Sequence, residues 1–101
     1  MNTGDLSVKI LVRVFGSFIA VTGKRLTELQ FPKNPTIMEV LSSMSEKYGQ
    51  RFHDLIFDSD GKVKEFLTFV INKDNVVSAR QVDKKLDEGS EIAIVMLLSG
   101  G

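Results

Sequence analysis

Two glycines, Gly100 and Gly101, stand at the C-terminus directly after Ser99 and an apolar, strand-like run at 92–98. Glycine adds no side chain to a core and loses the most backbone freedom on ordering. A glycine pair therefore serves a fold poorly. It suits a narrow channel, because the segment from Ser99 onward, fully extended at ~3.3–3.6 Å per residue, reaches roughly 10 Å. Such a tail can present the α-carboxylate of Gly101 to another protein's active site. A carboxylate so presented could be activated as an acyl-adenylate and then attacked by sulfur or by an amine. The competing reading is a frayed chain end, since termini are commonly disordered.

Composition narrows the chemistry further. With 101 residues, 43% hydrophobic and 26% charged, the chain fits one ordinary globular domain. Thirteen basic and thirteen acidic side chains cancel, so no global field favours nucleic acid or an anionic membrane. The absence of cysteine excludes disulfides, thiolate zinc sites, iron–sulfur ligation and a cysteine nucleophile. No run approaches about 20 apolar residues, and Met1-Asn2-Thr3-Gly4-Asp5 lacks the basic start of a secretion signal. A soluble, cytoplasmic protein with no membrane or nucleic-acid partner and no bound metal is expected. His53 has no ligand-spaced neighbours, and Asp58-Ser59-Asp60-Gly61 lacks the later acidic positions of a calcium loop. Lys73, Lys84 and Lys85 could accept isopeptide bonds but read as solvated charges.

The elements that must hold such a tail follow from periodicity. Over 7–15, Val8, Ile10, Val12 and Val14 alternate with Lys9, Leu11, Arg13 and Phe15, the pattern of a strand with one buried face. A short helical turn is expected at 18–21 and a second strand at 24–31, with Leu26, Leu29 and Phe31 available to the core. Thr36-Ile37-Met38-Glu39 has the spacing of a capping box. Behind it Ile37, Val40, Leu41, Met44 and Tyr48 share one helical face, and Gly49 closes the helix. A short helical or irregular piece anchored by Phe52, Leu55 and Ile56 comes next. A strand at 66–72, a turn at 72–75, a further turn at 86–90 and a last strand from Glu91 complete the chain. The first and last strands can lie side by side at the sheet centre, with the helix across one face. This is an α+β roll of β-grasp (ubiquitin-like) type, a mixed four- to five-stranded sheet with one main helix. The expected organisation is a flexible N-terminus at 1–6, the β-grasp domain at 7–98 and an extended Ser-Gly-Gly tail at 99–101.

Several segments in this order resemble one family. They are the first strand with Phe15-Gly16, the capped helix ending at Tyr48-Gly49, and Phe69-Val70-Ile71-Asn72. The closing Leu86-Asp87-Glu88-Gly89-Ser90-Glu91-Ile92-Ala93-Ile94 and the Ser99-Gly100-Gly101 end complete the set. Together they resemble the MoaD/ThiS family of ubiquitin-like sulfur carriers, with the small subunit of molybdopterin synthase the nearest type and an archaeal, longer variant suggested by 58–61. Met96-Leu97-Leu98 departs from the proline-containing segment that many relatives carry there. The resemblance implies that an E1-like adenylating enzyme uses ATP to adenylate Gly101 and that sulfur then replaces AMP to give a thiocarboxylate. It implies a second partner, the large subunit of molybdopterin synthase, which receives the sulfur for molybdenum cofactor biosynthesis. Gly100 and Gly101 are bare because a Cβ would crowd the attack on the carbonyl and the approach through the channel. The resemblance further implies that the chain binds no cofactor itself and is a co-substrate rather than an enzyme.

Docking needs a surface as well as a tail. If Ile92, Ile94 and Met96 face the core, Ala93, Val95 and Leu97 face away, with Leu11 and Val70 in the same parity. An exposed apolar strip of this kind commonly marks a partner site. Leu11, Val70, Val95 and Leu97 are therefore the expected docking patch, and Leu98 and Ser99 lead from it to the reactive end. Two other functions compete: a protein modifier amide-linked to lysines through Gly101 (or a carrier serving tRNA thiolation), and a plain β-grasp interaction module.

Overall fold

Alternating β-branched residues make β1 (Val8–Arg13) a strand with Val8, Ile10 and Val12 buried and Lys9 exposed. In the computed structural model, which describes residues 8–96, four more strands join it: β2 (Leu26–Phe31), β3 (Leu67–Ile71), β4 (Asn75–Ser78) and β5 (Glu91–Met96). Three helices accompany them, α1 (Ser17–Thr22), α2 (Ile37–Tyr48) and α3 (Gln50–Ile56). The expected lead-in at 1–6 and the site residues Leu97, Leu98, Ser99, Gly100 and Gly101 lie outside the described residues.

The sheet order is β2-β1-β5-β3-β4. The first and last strands are parallel neighbours, Val12 beside Ile92, and the remaining pairings are antiparallel. This is the expected α+β, β-grasp architecture, with five strands. The longest helix, α2, begins as its capping box requires. Thr36 Oγ1 accepts from the Glu39 amide at 3.1 Å, and Glu39 Oε1 accepts from the Thr36 amide at 2.8 Å. Its apolar face, Ile37, Val40, Leu41 and Met44, is fully buried in one cluster with Ile10, Val12, Phe69, Ile92 and Ile94 of the sheet. Gly49, at φ +88°, turns the chain straight from α2 into α3, a conformation that a Cβ disfavours. Phe18 of α1 and Phe52 of α3 meet with ring centroids 5.8 Å apart and join the same core.

Several expectations change. The second strand starts at Leu26 rather than at 24, and Leu26 is not a core residue. It pairs with Arg13, both side chains lying on the face away from the core, and is 38% exposed. Thr27 takes the buried place, and its hydroxyl is satisfied at 2.8 Å by the Tyr48 hydroxyl at the end of α2. The stretch after Gly49 is a true helix, in which Leu55 is only partly buried while Phe52 and Ile56 are sealed. The fifth strand, β4, follows a tight turn in which Asn72 and Lys73 both hold positive φ, the geometry that twists a hairpin correctly.

Candidate functional site

The buried apolar residues of all three helices belong to one core on one side of the sheet, so among the described residues no helix lies over the other face. Register tells which residues it carries. One row crosses all five strands: Leu26 opposite Arg13, Arg13 beside Ala93, Ala93 opposite Val70, and Val70 opposite Val76. The row towards the end of β5 contains Val95 opposite Thr68 and Thr68 opposite Ser78. The row on the other side has Leu11 between Glu28 and Glu91.

A groove of about 300 Å³ lies in this face, walled by Phe15, Val70 and Val95, floored by Ala93, and edged by Arg13, Glu91 and Lys73. Ala93 is buried although it belongs to the open face, while Phe15 and Val76 are 49% and 67% exposed. A second groove, about 440 Å³, opens beside it between 15–18 and 94–96, with the buried Phe18 and Ile94 at its base and Met96 at its rim.

Of the sequence-derived docking residues, Leu11, Val70 and Val95 all lie on the open face, each partly buried. The structure brings Val70 and Val95 into one groove. It sets Leu11 apart, in the row flanked by two glutamates. Phe15, Val76, Arg13 and Lys73 were not anticipated there. Phe15 and Arg13 carried a usable signal, since both share the parity of Leu11. Val76 did not, because its strand was not expected.

Two ion pairs lie on the face: a loose one, Lys9 Nζ to Glu28 Oε2 at 4.0 Å, and a tighter one between Arg13 and Glu91. Arg13 Nε donates to Glu91 Oε2 at 2.9 Å and Nη2 donates to Oε1 at 3.5 Å. The side chains are 36% and 18% exposed. The Arg13 hydrogen bonds hold the Glu91 carboxyl below the usual carboxylate range, against the opposing effect of its burial, with Lys73 adding a smaller pull in the same direction. Among the described residues no group of three or more His, Cys, Asp or Glu could hold a metal ion, and no helix is long and apolar enough to cross a membrane. What the open face offers is a half-apolar surface with charged edges, suited to binding a protein.

The sequence matches the model of the ThiS family over residues 12–101. Comparison with curated proteins gives no match. Among solved structures, SAMP1 from Haloferax volcanii superposes with a TM-score of 0.77 at 18% identity, covering 92% of this chain and 99% of that one. A proposed molybdopterin converting factor, subunit 1, from Pyrococcus furiosus gives 0.69 at 20% identity, covering 91% and 100%. A chain of the Amycolatopsis orientalis BexX/CysO complex gives 0.69 at 17% identity, covering 91% and 99%. At these identities the likeness is one of fold.

Proposed function

This chain belongs to the ThiS family, and we propose that it is a ubiquitin-like sulfur carrier, the small subunit of a molybdopterin synthase. The observation that carries this reading is the family match, which runs through Ser99, Gly100 and Gly101. An E1-like adenylating enzyme binds and uses ATP. The α-carboxylate oxygen of Gly101 attacks the α-phosphorus, pyrophosphate leaves, and an acyl-adenylate forms. A sulfur nucleophile then adds to the activated carbonyl and displaces AMP, leaving a C-terminal thiocarboxylate. The large synthase subunit takes the tail and passes the sulfur to a pterin precursor in molybdenum cofactor biosynthesis. The chain contributes the reacting carbon and no cofactor of its own.

A carboxylate is a poor electrophile until one oxygen becomes a leaving group, which is why nucleotide activation comes first. Glycine at 100 and 101 keeps the carbonyl open to attack. Docking is the other half of the task. Val70, Val95 and Phe15 around the Ala93 floor form the apolar centre that both partners cover, with Leu11 at its margin, and Leu97, Leu98 and Ser99 connect it to the reactive end. The BexX/CysO structure is a complex of a chain with this fold, which supports a partner protein.

Intact-mass measurement on protein from its native host tests the reading. A C-terminal gain of one sulfur-for-oxygen exchange, lost when Gly101 is deleted, is the expected result. A second reading, a protein modifier, draws on the likeness to SAMP1, a small archaeal modifier protein. It shares the adenylate and differs only in that a lysine amine, rather than sulfur, displaces AMP. Lysine conjugates of higher mass with no thiocarboxylate would favour it.

A further inference from the structure

The groove of the open face is apolar except at one edge, and that edge is charged in an unbalanced way. Arg13 has five N–H groups and a charge it does not lose. Two of the five bond Glu91, and the other three have no partner among the described residues. Lys73 lines the same groove, held at φ +74°, a backbone conformation uncommon for a residue with a side chain. Arg13 and Lys73 against Glu91 leave one surplus positive charge beside Val70 and Val95.

A purely apolar partner surface laid over this groove would strip water from the three free guanidinium N–H groups and replace it with nothing. Leaving charged donors buried and unsatisfied is strongly unfavourable. The surface that covers Arg13 must therefore supply an acceptor, and the surplus charge selects an anionic one. We propose that the docking surface of the adenylating enzyme carries a carboxylate that pairs with Arg13 in the complex, with Lys73 at its flank. This holds only if the open face docks as described above. Arg13 is then a specificity-determining residue: its planar fork can hold Glu91 on one edge and the partner carboxylate on another. Glu91 is a positioning residue, keeping the fork aimed across the groove. A surface of the same shape that lacks the carboxylate is rejected by the unpaired charge.

The test is equilibrium binding of the full chain to the host's own E1-like adenylating enzyme at low and high salt, with folding of each variant checked by circular dichroism. Arg13→Leu keeps the apolar bulk and removes the fork. It should weaken binding roughly 30-fold, as expected for truncating one partner of a desolvated charge pair, and should flatten the salt dependence. Arg13→Lys should restore the salt dependence and only part of the affinity. Glu91→Gln should retain the salt dependence, because the Arg13 charge that the partner carboxylate meets is unchanged. Arg13→Leu binding within about threefold of wild type, with its salt dependence intact, overturns the proposal. Val95→Asp separates this from the docking reading: if it binds as wild type does, the open face is not the interface and both fall. If Val95→Asp abolishes binding while Arg13→Leu does not weaken it, only the carboxylate is refuted.

Discussion

The two faces of one sheet differ sharply. On the covered side, Ile10, Val12, Phe69, Ile92 and Ile94 are without solvent exposure and meet Val40, Leu41 and Met44 of α2. On the open side the same strands present Arg13, Val70, Glu91 and Val95, all partly exposed. Each strand alternates, so both faces are written in the same few residues, one parity apart. The covered face is almost wholly apolar, with the buried hydroxyl of Thr27 paired to Tyr48, which is what a stable interior needs. The open face mixes valines with a fixed ion pair, which is what a surface needs if it must stay in water alone and still be covered selectively later.

That contrast can be broken most forcefully on the covered side. Phe69→Ala removes a fully buried ring and should cost about 3–5 kcal/mol of unfolding free energy, read from the midpoint of a denaturant titration. Val70→Asp, one residue along on the opposite face, should cost only about 1–2 kcal/mol yet abolish complex formation with the adenylating enzyme. Unfolding of the Val70→Asp domain in buffer would make the open face a second core and erase the distinction. Thr36→Ala deletes the cap of α2 and should lower stability by about 1 kcal/mol without touching partner binding. A binding defect there would mean the helical side also contacts the enzyme.

The smallest effect is a pH dependence. The folded-state pKa of Glu91 is lowered, first by the Arg13 hydrogen bonds. Its stabilisation is therefore present above the ordinary glutamate value of about 4.3 and is lost as pH falls through the lower folded value. For a partly exposed pair this amounts to under about 1 kcal/mol. The stability difference between wild type and Glu91→Gln should shrink as pH falls from about 5 to 3. A difference that stays constant over that range would show that Glu91 acts by packing alone.

Much of the fold was legible because its signals are local. Val8, Ile10 and Val12 fixed the parity of the first strand through a two-residue period, and Thr36 with Glu39 announced the start of α2 through a hydrogen-bond exchange three residues apart. The parity of Val70 and Val95 followed from the same rule. Leu26 was misplaced because its neighbour Thr27 reads as the polar residue of the pair. Only the Tyr48 hydroxyl, 21 residues away, makes that threonine an acceptable core residue. The strand at Asn75–Ser78 was missed because four residues are too few to show a period.

The sequence by itself determined which side chains β1, β3 and β5 turn to each face, where the principal helix begins and ends, and that glycines follow the last apolar run. These depend on residues within a turn or a few positions of one another. The tertiary structure alone decided that Arg13 would bond Glu91 across 78 residues, that Phe15 would join Val70 and Val95 around one groove, and that Leu11 would stand apart from them between Glu28 and Glu91. Strand register sets those neighbours, and register is a compromise among all five strands and the helix packed beneath them, which no single segment encodes.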